Sequence, residues 1–254
     1  MKRLLLSAVT AACTLFMGAG ITFAQEGVPQ FRPVEMWVCN YNDGKDQGDF
    51  DDVLEDTVES AGDDPYAAFR LFPYFVSGDQ DFDFIYLGVW ESGTTMGSDM
   101  AEYEATSGDI DEAWNEAVDC PASLMYASMR IQQNADTGGG DGNFMLTVSD
   151  CNVAHGASTG QALGALTRFN NYRVANGSTV GTIAWFPVYG GGGVEFDFKL
   201  VHVYSDWPHF GDSFQWFVDN QAYLVQEDMM SGVVSCDVPR VYGGETIMNN
   251  MNES

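Results

Sequence analysis

The sequence predicts an α+β protein in which one βαββαβ unit occurs twice in tandem, the two sheets packing together as a barrel inside a single chain. Three observations carry this. FDFIYLGVWESGTTMG at 82–97 is matched by FDFKLVHVYSDWPHFG at 196–211, without a gap at an offset of 114, and Phe72-Pro73 recurs as Phe186-Pro187 at the same offset. Cys39-Asn40 recurs as Cys151-Asn152 at an offset of 112, and Cys120 as Cys236 at 116, so the repeat extends into both flanks. Hydrophobic periodicity also switches between strand and helix in the same order in each copy.

In the first copy, VEMWVC is a strand ending at Cys39. Phe50, Val53, Leu54 and Val58 then recur at helical spacing until Gly62 stops the run. AFRLFPYF and DFIYLGVW follow as two strands joined around VSGDQD. Ile110, Ala113, Trp114, Ala117 and Val118 form the apolar face of a second helix, and CPASLMYASMRI closes the copy as a strand. The second copy runs through FMLTVSDC, a helix through Leu163, Leu166 and Phe169, strands around IAWFPVY and VEFDFKLVHVY, a helix near FGDSFQWFVDNQAYLV, and a last strand after Cys236. The glycines at 190–193 make a hairpin loop. NADTGGGDGN at 134–143 is a flexible connection between the copies, and the tail after Val241 lacks a pattern.

This order is the split βαβ, or ferredoxin-like, unit, whose last strand lies beside its first. The repeat pairs Cys39 with Cys120 and Cys151 with Cys236, one bridge per copy, each worth roughly 4 kcal/mol in the chain-entropy model. The domain limits that follow are 25–135 and 136–254, after a removable export signal over 1–24 with a basic start, an apolar run and a small-residue cut. Its consequence is an exported protein, periplasmic or extracellular, in which paired cysteines persist as disulfides.

Along the third strand, Phe196, Phe198, Leu200, His202 and Tyr204 take one face, and Val201 and Val203 the other. In the first copy Phe82, Phe84, Tyr86 and Trp90 oppose Ile85, Leu87 and Val89. Both faces are apolar, so the open sheet faces pack on each other, and the aromatic side is expected to line the barrel.

A closed pair of ferredoxin-like sheets resembles the dimeric α+β barrel superfamily, which includes antibiotic-synthesis monooxygenases, haem-degrading enzymes and ligand-binding modules. Here one chain looks like a complete dimer and is expected to act as a monomeric pseudo-dimer. The resemblance implies a small apolar or aromatic ligand held between sheet and helices. Its haem-degrading members use an asparagine on the first strand, a tryptophan on the third and a histidine on the second helix. The second copy offers Asn152, Tyr204 and His209 there, a departure at the tyrosine, while the first has Asn40 and Trp90 and no histidine. Haem is therefore a minor expectation, and the residues themselves indicate no cofactor.

The three histidines belong to one copy only. His202 corresponds to Gly88, which leaves room at the equivalent point, His209 to Thr95, and His155 to Asp43. The plain expectation for His202 is a core histidine bonded to a neighbour, and for His209 a loop position at a helix start. The sharper one is a polar group in an apolar pocket, with His202, Tyr204, Trp185, Asn152, Tyr86 and Trp90 as candidate lining. Other motifs fail: NDGKDQGDFDDVLED puts Lys45, Gln47 and Leu54 where calcium ligands belong, no nucleophile elbow occurs, and bridged cysteines leave no zinc set.

The net charge of −27 is uneven. Residues 25–135 carry 24 acidic and 4 basic side chains, and 136–254 carry 13 and 4. Nucleic acid and anionic membranes are poor partners for such a surface, and a basic protein partner is a suitable one. Together these features lead to the expectation of an exported, non-catalytic module that binds a small apolar or aromatic ligand or a protein. The alternative is a cofactor-independent or haem-linked oxygenase-like enzyme.

Overall fold

A computed structural model describes residues 30–62, 64–78, 80–132 and 142–251. The export signal over 1–24 and most of the connection at 134–143 lie outside the described residues. The N-terminal half runs β1 (Phe31–Tyr41), α1 (Gln47–Ala61), β2 (Tyr66–Phe75), β3 (Phe84–Trp90), α2 (Gly93–Thr106), α3 (Gly108–Ala117) and β4 (Val118–Gln132). The C-terminal half runs β5 (Asn143–Val153), α4 (Thr159–Ala175), β6 (Gly181–Tyr189), β7 (Phe198–Tyr204), α5 (Trp207–Asp219), α6 (Ala222–Met230), β8 (Val234–Cys236) and β9 (Arg240–Asn249).

Local chemistry sets the long helices. Asp46 caps α1 by accepting from the Gly48 and Asp49 amides, and the Asp49 side chain answers the Asp46 amide, a reciprocal capping box. Ser158 and Gln161 do the same for α4. Where one second helix per half was expected, there are two. α2 gives way to α3 at Ser107, and α5 to α6 at Gln221, which adopts a left-handed φ of 49°. GTTMGSDMAEYEAT has no apolar stripe and buries none of its side chains, so α2 left no signal to read.

The strands follow the order β7-β6-β4-β1-β3-β2-β9-β5, and β5 returns to β7, so eight antiparallel strands close a barrel while β8 extends the pairing of β5. Two seams join the halves, β4 to β6 and β2 to β9. The disulfides Cys39–Cys120 and Cys151–Cys236 tie β1 to β4 and β5 to β8, the pairing expected from the repeat. β9 corrects the expectation of a patternless tail. Its Gly243-Gly244 pair interrupts the hydrophobic alternation because the Tyr74 and Phe144 rings of the neighbouring strands occupy the space a Cβ would take.

The assignment of strand faces is also corrected. Val201, Val203, Ile85 and Leu87 point into the barrel with Met36, Leu71, Val148 and Trp185. Phe198 and Leu200 point outward, under Leu166 and Phe169 of α4, and Phe84 and Tyr86 lie under Phe50 and Leu54 of α1. Aliphatic side chains pack with Tyr126, Trp185 and Tyr242 in the interior, while Phe50, Phe84, Phe169 and Phe198 fill the gap between sheet and helices. His202 and Tyr204 consequently face helices, on the outside of the barrel.

Candidate active site

The six residues singled out by sequence occupy four places. His202 and Tyr204 lie on β7 beneath α4 and α5. Tyr86 and Trp90 lie on β3 on the helix-facing side of the N-terminal half, with the Tyr86 ring 5.2 Å from Trp114 of α3. Trp185 lies inside the barrel, 6.0 Å from the Tyr126 ring. Asn152 is exposed at an open hollow of about 530 Å³ rimmed by Asp150, Glu195 and Asp237. The structure links Tyr86 and Trp90 through Tyr66, sets His202 and Tyr204 on one face of β7, and leaves these pairs on different halves.

His202 sits in a polar cluster. Asn170 and Arg173 reach it from α4, and Thr182 from the adjacent strand β6. The Arg173 guanidinium donates to His202 Nδ1 at 3.3 Å and to Thr182 Oγ1 at 3.4 Å, while Thr182 donates to Asn170 Oδ1 at 3.0 Å. Because arginine only donates, Nδ1 is the acceptor and the imidazole is neutral with its proton on Nε2. Burial and then the Arg173 charge pull its pKa down from 6.5 to about 3. Among the described residues no carboxylate lies within ion-pair distance of Arg173, which is 5% exposed and has its own pKa lowered by burial. Tyr204 completes the group, its pKa raised by burial against the lowering influence of the Thr147 side chain, the Arg173 charge and the Ser213 side chain.

The equivalent strand register in the N-terminal half has opposite chemistry. Gly88 stands opposite Glu35 and Ala68, as His202 stands opposite Thr147 and Thr182. The room expected above Gly88 is filled: a Cβ there would collide with the Tyr66 hydroxyl and the Glu35 carboxylate. Tyr66 Oη donates to Glu35 Oε1 at 2.8 Å and lies 2.9 Å from Tyr86 Oη, while Trp37 Nε1 donates to Glu35 Oε2 at 3.0 Å. With its proton given to Glu35, Tyr66 accepts from Tyr86. The Trp90 ring packs 5.0 Å from that of Tyr66.

Glu35 is half-buried among these rings, and burial raises its pKa above the usual carboxylate value, against the lowering effect of the Trp37 and Tyr66 donors. A carboxylate so placed is a stronger base than a solvated one. Sequence reasoning missed it. The available signal was VEMWVC itself, where Glu35 alternates onto the same face as Trp37 and the bridged Cys39, a face that must be covered by helices.

Neither histidine cluster presents a haem ligand. His209 accepts the Ser205 amide at Nδ1, 3.1 Å, and its Nε2 lies 2.9 Å from Thr179 Oγ1, so both ring nitrogens are committed at the entry to α5. His202 accepts from Arg173 at one nitrogen and bonds the Gly181 backbone through its ring. Asn152 is exposed and not grouped with either. The side chains do not fit an axially bound haem, and no step is assigned to that group.

No family model and no curated protein matches the sequence. Among solved structures, a candidate monooxygenase from Lactobacillus acidophilus NCFM superposes with a TM-score of 0.54 at 11% identity, covering 86% of this chain and 95% of its own. A candidate chlorite dismutase superposes with a TM-score of 0.50 at 9% identity, covering 87% and 97%. At such identities the likeness establishes the fold, that of the dimeric α+β barrels. The expectation of a non-catalytic module is corrected on one point: the proteins that share this architecture over nearly the whole chain bear enzyme names.

Proposed function

We propose that the protein is a cofactor-independent oxygenase-like enzyme, exported, and built as a tandem fusion of two ferredoxin-like repeats with limits near 25–135 and 136–254. The fusion is supported by the shared offsets and by the matching registers Glu35/Gly88/Ala68 and Thr147/His202/Thr182. The single observation carrying the reaction is Glu35: a carboxylate of raised pKa, held in orientation by an indole and a phenol, between a sheet and a helix layer in an aromatic setting.

The substrate class is a small aromatic with an acidic methylene or phenolic proton. Glu35 removes the proton, and the resulting anion, spread over the ring, reduces dioxygen. For a methylene flanked by aromatic rings the balance is one substrate and one dioxygen giving a ketone and water: both methylene hydrogens end in the water, with one oxygen atom in each product. Trp37, Tyr66 and Trp90 supply ring faces for the substrate, and Tyr66 keeps the carboxylate pointed by its hydrogen bond.

The test is oxygen uptake by disulfide-intact, haem-free protein with a panel of anthrones and hydroquinones. Glu35→Gln is expected to lower kcat by about 10²–10⁴, the usual yield of general-base catalysis. In the unmodified enzyme kcat/KM rises with pH through the Glu35 ionisation. Tyr66→Phe removes a donor that favours the carboxylate, so this limb moves to higher pH. Undiminished turnover by Glu35→Gln, or no uptake across the panel, overturns the assignment.

A further inference from the structure

Inside the barrel, on the opposite side of the sheet from Glu35, lies an apolar cavity of about 180 Å³. Leu71, Ile85, Val148 and Trp185 form its walls, and Gln80 and Phe196 stand in the loops at its mouth. Lys199 and Arg240 also border it, and their charges are already taken up: Asp150 accepts from Lys199 at 2.6 Å and from Arg240 at 3.0 Å, and Asp237 lies 3.3 Å from Arg240. One polar atom in the wall is left over. Tyr126 is 1% exposed, and its hydroxyl has no hydrogen-bond partner among the described residues. An unmet buried hydroxyl costs roughly the desolvation of a polar group, and such exceptions call for a reason.

We infer that this cavity is a binding site for an uncharged single-ring aromatic bearing a hydrogen-bond acceptor, which the Tyr126 hydroxyl meets. Size sets the ring count, because a dry apolar cavity of about 150 Å³ accommodates benzene. The internally paired Lys199–Asp150–Arg240 cluster offers no free cation for a carboxylate, so the ligand is neutral. Trp185 and Tyr242 give it flat apolar faces. The assignment is independent of the Glu35 chemistry, which takes place on the other face of the sheet.

Isothermal titration with acetophenone, ethylbenzene and benzoate tests it. Acetophenone is expected to bind more tightly than ethylbenzene, which lacks the acceptor, and benzoate not to bind. Tyr126→Phe, nearly isosteric, is expected to weaken acetophenone about fivefold, to the level of ethylbenzene, the effect of one hydrogen bond of ordinary strength. Val148→Phe is expected to fill the space and abolish binding of both. Should that variant fail to fold, the Tyr126→Phe comparison decides alone. Glu35→Gln is expected to bind acetophenone as the unmodified protein does, which separates this site from the proposed reaction. Absence of acetophenone binding up to millimolar concentration, equal binding by Tyr126→Phe, or preferential binding of benzoate overturns the inference.

Discussion

At position 88 a single missing methyl decides what the neighbouring side chains do. With no Cβ at Gly88, the Tyr66 hydroxyl and Glu35 carboxylate close over the strand and meet there. In the other half the corresponding position carries His202, and the opposing strand residue is Thr147 in place of a carboxylate. Gly88→Ala forces both oxygens aside. It is expected to cost about 1–3 kcal/mol, the range for inserting a methyl into a filled site, read as a lower denaturation midpoint. Because the displaced group is the proposed base, the same variant also loses turnover. Full stability and full turnover together would show that the Tyr66–Glu35 contact does not depend on this glycine. The histidines that drew attention in the sequence are engaged as scaffold: His202 accepts from Arg173, and His209 ties Ser205 to Thr179. Their rarity marked where the halves diverge, but rarity carries no information on which face a strand residue occupies.

Elements show most clearly what the sequence made legible. The strands, α1, α4 and both disulfides follow from period and repeat, because apolar spacing marks each segment's type and the second copy confirms its place. α2 could not be read, since it buries nothing; a last strand after Cys236 was legible, but not its run past Val241, since the glycines there derive their role from Tyr74 and Phe144 on other strands. The inward or outward sense of β3 and β7 was likewise undetermined. Both faces of those strands are apolar, and only the packing of rings under helices distinguishes them. β9 is also the strand that joins β2 to β5, and it buries Val241, Tyr242 and Met248. A chain ended after Val238 leaves both of those edges unpaired. It is expected to lose cooperative thermal unfolding and to aggregate on gel filtration. A monomeric truncated chain melting in one sharp transition would show that closure by β9 is dispensable.

For the molecule as a whole, global stability against pH is the property in which the buried groups oppose each other. Unfolded, the His202 imidazole takes a proton near pH 6.5; folded, beneath Arg173 and facing Tyr204, it does so only at about 3. Between these values the unfolded chain binds more protons, so the contribution is complete above pH 6.5 and falls as pH drops toward 3. At about 1.4 kcal/mol per unit, lowering the pH from 7.5 to 5.0 costs about 2 kcal/mol through this residue. Glu35 acts in the other direction: its folded pKa is raised, so the folded chain holds the extra proton and stability increases as pH falls through that window. The two buried contributions separate by substitution. In a Glu35→Gln background, urea titrations at pH 7.5 and 5.0 are expected to show the full His202 loss. Adding His202→Gln, whose amide oxygen still accepts from Arg173, is expected to remove most of it. An acid loss that persists undiminished in the double variant would place its origin in a group other than the imidazole beneath Arg173.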